Sequence, residues 1–174
     1  MYSGLKTKLR ALEVADSERI ALWRNDESIQ SMLIGWHWPV SVENEAKWIE
    51  SSRDDKLNKR FAIIADDGNH IGNIGIYGID WVSRQCGFGL FIGDAKYRGK
   101  GYANDASKVL LDFVFSELGM NRVWVYVLVS NEPSKKHFER LGFSAEGILK
   151  QHNHRGGEFT DVHVMGLLKG ELIK

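Results

Sequence analysis

The spacing of apolar positions changes from segment to segment, and those changes divide the chain into elements. Residues 8–12 alternate, which predicts a short strand. Asp16 or Ser17 is suited to cap a helix in which Ile20, Leu22 and Trp23 supply the apolar positions to about Asn25. Pro39 interrupts the chain, and Ser41 followed by Glu43 and Asn44 opens a second helix carrying Ala46, Trp48 and Ile49. The period then becomes that of strands. Arg60 to Ala65 is followed by a turn at Asp67-Gly68-Asn69, by His70 to Asp80, and after Ser83-Arg84 by a strand ending near Ile92. Ala106, Val109, Leu110, Phe113, Val114 and Leu118 recur at helical spacing until Gly119. Val123 to Val129 is apolar on both faces, which predicts an interior strand covered on both sides and flanked by parallel neighbours. Ser134 to Leu141 predicts a short helix closed by Gly142. Strands near 144–153 and 158–168 follow, joined through Arg155-Gly156-Gly157.

The order is therefore strand, two helices, three strands, helix, strand, helix, two strands. Its two late helical crossovers make some strand pairs parallel, while the hairpins are antiparallel. The expected fold class is α+β, a mixed, partly parallel central sheet of about seven strands flanked by helices. No linker, repeat or low-complexity tract divides the 174 residues, so a single domain over 1–174 is expected.

Composition removes several classes of function. Twenty-three basic residues balance twenty-three acidic ones, so no overall field steers the chain toward nucleic acid. No run approaches the roughly 18 apolar residues of a membrane span, and the polar start from Met1 to Arg10 is no secretory signal. The single cysteine, Cys86, supplies neither a disulfide framework nor a zinc site and reads as a small buried hydrophobe. The expectation is a cytoplasmic protein that uses no metal and binds neither nucleic acid nor membrane.

Tyr97-Arg98-Gly99-Lys100-Gly101-Tyr102-Ala103 adds chemistry to this picture. A glycine-rich turn that opens a helix exposes N–H groups no helical carbonyl can satisfy, and the helix dipole makes that end attractive to an anion. Arg98 and Lys100 add charge beside it. No Gly-Lys-Ser or Gly-Lys-Thr follows, and the three-glycine dinucleotide spacing is absent, so neither a kinase-type loop nor a dinucleotide fingerprint fits.

Four motifs in order then carry a resemblance. Arg98-x-x-Gly101-x-Ala103 at a strand-to-helix turn resembles the pyrophosphate-binding signature of the GNAT acetyltransferases. Asn131-x-x-Ser134 with Phe138-Glu139-Arg140-Leu141-Gly142-Phe143 resembles the strand-five and helix-four region of that superfamily. Glu146-Gly147 through Gly157, Asp161 and Met165-Gly166-Leu167-Leu168 is similar to the C-terminal strands of its Rim-like branch. That branch includes ribosomal-protein N-terminal acetyltransferases and relatives acting on polyamines and amino sugars. Trp23-Arg24-Asn25-Asp26 is also similar to many members.

The resemblance implies acetyl-coenzyme A as cosubstrate, its pyrophosphate held by Arg98, Gly99, Lys100, Gly101, Tyr102 and Ala103. It implies that the strand before this turn splays from the Val123–Val129 strand. Backbone groups of Phe91 and Ile92 then meet the peptide-like pantetheine arm as an added strand would. The implied reaction is direct acetyl transfer to a primary amine on a peptide N-terminus or a small molecule. Polyamine or amino-sugar acetylation is the alternative within the class, and a coenzyme-A-binding regulatory module without turnover is the alternative from another. The family also implies a homodimer.

The catalytic residues are less uniform. Ser134 matches a serine that acts as the acid or orients the sulfur in the Rim-like branch; from the residues alone it is a first-turn hydroxyl beside Asn131 and Pro133. Asn131 either bonds the amide arm of the coenzyme or caps that helix. Many relatives carry a tyrosine at Phe138 and glutamates at Gly87 and Asn153, and none of the three residues present here moves a proton. His137, His152 and His154 titrate in a suitable range when unperturbed, but surface or supporting roles suit them as well. Strand alternation places His152 and His154 on one face and Asn153 on the other. On the acceptor side Trp36, Trp38 and Trp48, with Asp26, Glu27, Glu43 and Glu45 nearby, suit a cationic amine or serve as packing and a solvated face. Tyr77, Asp80 and Trp81 stand opposite. Substrate contacts are expected from Trp36, Trp38, Tyr77 and Asn153.

Overall fold

The computed structural model describes residues 2–35 and 38–173, so Trp36 and His37 lie outside the described residues. The chain runs β1 (Tyr2–Ser3), β2 (Thr7–Ala11), a 3-10 turn, α1 (Ser17–Arg24), α2 (Glu27–Gln30), α3 (Val42–Ser52), β3 (Lys59–Ala65), β4 (His70–Asp80) and β5 (Gln85–Ile92). A second 3-10 turn leads to α4 (Tyr102–Ser116), β6 (Arg122–Leu128), α5 (Glu132–Leu141), β7 (Ser144–Arg155) and β8 (Glu158–Leu168). Among the described residues one sheet has eight strands in the order β1-β2-β3-β4-β5-β6-β8-β7. The fold class is the expected mixed sheet. The eighth strand is β1, which at two residues carries no alternation to read, and the one-turn α2 also lacks a period.

Strand alternation gives the sheet two covered faces. Ile63, Ile74, Ile76, Phe88 and Val125 are buried in the larger core, with Leu110, Leu111 and Val114 of α4 laid across it. Ala62 turns the other way, into a smaller cluster with Ile20 and Trp23 of α1 and Ile49 of α3. Local chemistry sets the helix ends. Ser41 Oγ accepts from Asn44 N–H at 3.1 Å to start α3, and Gly142, at φ 103°, closes α5 in the left-handed region. Asp16 makes no side-chain cap on α1. Its carboxylate instead accepts from Glu13 N–H at 2.8 Å and from Arg10 Nη1 at 2.7 Å, and meets His70 Nδ1 at 3.1 Å.

β5 and β6 are the parallel pair that positions the site. Their register holds only at Gln85↔Arg122, Cys86↔Val123 and Gly87↔Trp124, after which β6 continues beside β8 as far as Leu128↔Val162. The gap opened beyond Gly87 is the expected splay. The coverage of β6 differs from expectation: Val123, Val125 and Val127 are buried, whereas Trp124 is half-buried and Tyr126 is 39% exposed. One face meets α4, and the aromatic face looks out beside the gap. Its neighbours are parallel on one side and antiparallel on the other. Among the described residues no helix is long and apolar enough to cross a membrane.

Candidate active site

The glycine turn has the geometry of an anion cradle. Gly99 and Gly101 have φ of 72° and 88°, a region in which a Cβ is strained. Gly101 is the N-cap of α4 and no side chain caps that end. The first helical bond runs from Asp105 N–H to Gly101 O at 3.0 Å, leaving the N–H groups of Tyr102, Ala103 and Asn104 directed out of the helix. The space before them is open: a Cβ at Gly99 would meet nothing within 4 Å, and one at Gly101 only Lys6 Nζ at 3.8 Å. Neighbouring elements fix the turn. Tyr97 Oη donates to Asp67 at 2.5 Å and Tyr102 Oη to Asp66 at 2.9 Å. Asp105 accepts from the N–H groups of Leu5, Lys6 and Thr7 at 2.9, 3.0 and 2.9 Å. Arg98 Nε donates to Ile92 O and Nη2 to Gly93 O, both at 2.9 Å, so this guanidinium clasps the end of β5.

A cleft of about 1250 Å³ extends from this turn across the splayed strands. Phe91, Ile92, Arg98, Gly99 and Gly101 line it, as do Tyr102, Ala103, Asn131, Ser134 and Tyr77. The remaining expected residues fall elsewhere. Lys100 projects into solvent and its carbonyl accepts from Lys6 Nζ at 3.1 Å. Trp38 is 82% exposed and is not part of the wall. Asn153 is 6% exposed, tucked into the β7–β8 hairpin where Nδ2 donates to Thr160 Oγ1 at 3.3 Å. The register shift between Leu149 and Asn153, with Gln151 at φ 52°, breaks the alternation expected there. His152 lies edge-on to Tyr126 while His154 lies against Phe159.

The cap of α5 forms one wall. Asn131 is buried; its Oδ1 accepts from Ser134 N–H at 3.1 Å and its Nδ2 donates to Met32 O at 3.0 Å. The helix cap is therefore formed, and the same amide ties the segment after α2 to α5. Phe138 is a core residue, edge-on to Phe88 and Phe143. His137 meets the hydroxyl of buried Ser107 at 3.2 Å. Burial, helped by Arg140, pushes its pKa down to about 4, so the imidazole is neutral at physiological pH.

The floor is built from glycines. Gly75, Gly87 and Gly89 share a face with Tyr77, and a Cβ at Gly87 would lie 2.3 Å from Tyr77 Cε2. The Tyr77 ring thus occupies the space over Gly87 and packs edge-on to Trp124. Burial pushes its hydroxyl up to about 12, so it stays protonated as a donor. Arg60, beside Gly75 in the register, lies over that glycine with Trp48 above its guanidinium at 5.0 Å from the ring centroid. Arg24 Nη1 pairs with Glu45 at 2.8 Å. Sequence reasoning passed over Arg60 and Ser107; the period-two glycines 87 and 89 were a readable sign that something lies flat on that face. Among the described residues no group of three or more His, Cys, Asp or Glu is placed to hold a metal ion.

The chain is similar to known proteins over nearly its whole length. The N-acetyltransferase YokL of Bacillus subtilis, prophage-derived and uncharacterized, is 30% identical over 171 residues, covering 98% of this chain and 94% of its own. YdaF of the same organism, provisionally named a ribosomal N-acetyltransferase, is 31% identical, covering 94% and 91%. The solved structure of the Vibrio cholerae spermidine N-acetyltransferase in complex with CoA and spermine superposes with a TM-score of 0.87 at 27% identity, over 95% of this chain and 96% of that one. The acetyltransferase (GNAT) domain model matches residues 6–144. Because that match spans the cradle, the splayed strands and the cap of α5, the chain belongs to the GNAT acetyltransferase family.

Proposed function

We propose that the protein transfers the acetyl group of acetyl-coenzyme A directly to a primary amine, on a peptide N-terminus or a small molecule. The observation that carries this reading is the three-rung β5–β6 pairing followed by a gap that opens onto an uncapped helix end. Such a gap offers unpaired strand edges to a peptide-like arm, and the helix end offers N–H groups to its pyrophosphate. Bound acetyl-coenzyme A supplies an activated thioester. Backbone at Phe91 and Ile92 holds the arm and steadies the oxyanion. The Ser134 hydroxyl gives a hydrogen bond to the departing sulfur, and Asn131 keeps the first turn of α5 in place for it. Tyr77 holds its proton and His137 is too weak a base for an alkyl ammonium of pKa about 10. Loss of the amine proton is therefore left to water in the open cleft. A Rim-like affiliation, supported by YdaF, and a homodimeric assembly belong to the same proposal, the latter read by light scattering. The spermine-bound Vibrio cholerae neighbour makes a polyamine the rival acceptor.

Free-thiol release from acetyl-coenzyme A, measured with N-terminal peptides, amino acids, amino sugars and spermidine, tests the reading. Amine-dependent release is expected. Ser134→Ala lowers kcat roughly 10- to 100-fold, with the KM for acetyl-coenzyme A changed far less. Release that no amine stimulates overturns the reading, and an unchanged kcat in Ser134→Ala removes the serine from it.

A further inference from the structure

We infer that the acceptor amine also carries an oxyanion, a carboxylate or a phosphate, and that Arg60 receives it. The inference rests on the acetyl-transfer reading and names the class of molecule that enters the same cleft. Arg60 lines the cleft and remains exposed to it. Its position is built from two sides. Below, a Cβ at Gly75 would come within 2.9 Å of Arg60 Cγ and 3.2 Å of its Cα, so the side chain crosses the sheet where a side chain on β4 is missing. Above, the Trp48 indole covers the guanidinium. A guanidinium stacked on an aromatic face keeps its edge donors free and pre-ordered, the geometry that takes a planar oxyanion through two parallel N–H bonds.

Among the described residues Arg60 makes no ion pair and donates no hydrogen bond. The two carboxylates that act on its charge, Glu45 and Asp55, make their hydrogen bonds to other residues. Glu45, 1% exposed, has its charge committed to Arg24 across 2.8 Å. Asp55 accepts from the N–H groups of Leu57 and Asn58 at 2.8 and 3.0 Å and from Asn58 Nδ2 at 2.8 Å. Of the charged side chains that line this end of the cleft, Arg24, Glu45 and Arg60 sum to one positive charge, while Asp55, outside the lining, attracts Arg60 without an ion pair. Such a wall repels a polycation and favours an amine whose other end is anionic.

The test compares matched acceptors by kcat/KM in the thiol-release assay: glycylglycine against glycylglycinamide, β-alanine against its amide, glucosamine 6-phosphate against glucosamine, and spermidine alone. The anionic member of at least one pair is expected to exceed its neutral partner by roughly tenfold or more. Which pair responds separates carboxylate from phosphate. Arg60→Gln is expected to bring that ratio close to one, and Arg60→Lys to retain part of it, with circular dichroism as the folding control. Spermidine or the neutral partners being turned over best by the unaltered enzyme overturns the inference. So does a ratio that survives in Arg60→Gln. The ratio in the unaltered enzyme decides the matter even where the glutamine variant does not fold. Release with no anion preference sinks the role of Arg60 alone, whereas no amine-dependent release from any acceptor sinks acetyl transfer and this inference with it.

Discussion

His137 behaves as its surroundings dictate. An unfolded chain protonates this imidazole near 6.5, whereas the folded chain, burying it against Ser107 and near Arg140, does so near 4. The unfolded state therefore binds more protons between those values. The contribution is fully present above pH 6.5 and is lost as pH falls toward 4, amounting to about 3 kcal/mol at most. Denaturant melts at pH 7.5 and 4.5 are expected to show this loss in the unaltered protein and a much smaller one in His137→Gln. An equal loss in both would assign the slope to other groups. Asp16 acts in a separate window: burial alone would raise its pKa, but hydrogen bonds from Arg10 and His70 outweigh it and hold the carboxyl well below its usual 3.8. Cys86 was legible as a buried hydrophobe from its solitude, and burial pushes its thiol up to about 12. The environment of His137 was not legible, because the serine that meets it comes from another helix thirty positions away.

At the scale of elements, a run of glycines is explained by what lies over it. The position where many relatives carry a glutamate is Gly87, and Tyr77 fills the space such a side chain would need. Gly87→Ala is expected to cost about 1–3 kcal/mol through displacement of the ring. In a Tyr77→Ala background most of that cost should vanish, a coupling that a double-mutant cycle measures. Strictly additive costs would show that the ring is not the obstacle. Elements whose ends are written in local chemistry were readable, as Ser41 at α3, the glycine turn at α4 and Gly142 at α5 show. The β6 strand was misjudged on one face because Trp124 and Tyr126 are apolar enough to suggest a covering layer, yet Tyr126 lines the open cleft and Trp124 is only half-covered, by Tyr77 and Tyr126. Trp38 stands exposed outside the cleft lining, a placement its sequence did not announce, since an aromatic in a loop carries no period that says which way it faces.

For the whole molecule, zero net charge conceals an uneven distribution. Arg98, Lys136 and Arg140, with Glu132 among them, line the glycine-turn end of one cleft, an asymmetry visible only once α5 is laid beside the glycine turn. Strand order was partly legible, since a strand–helix–strand crossover implies a parallel pair, but the length of that pair is set by tertiary contacts. Its shortness has a consequence for the order in which the molecule assembles. The hairpins β3–β4, β4–β5 and β7–β8 close between neighbours in sequence, whereas the Cys86–Val123 rung must wait for the intervening α4 to find its place. Contacts that span long loops form late because the chain entropy is lost before the contact is gained. Pulse-labelled hydrogen exchange during refolding should then protect amides in these hairpins first and those that bond across the β5–β6 pair, at residues 85–87 and 122–124, last. Simultaneous protection would show a single cooperative nucleus instead. On this account the opening proposed to admit the cosubstrate is a suture, the seam along which two earlier-formed halves are joined.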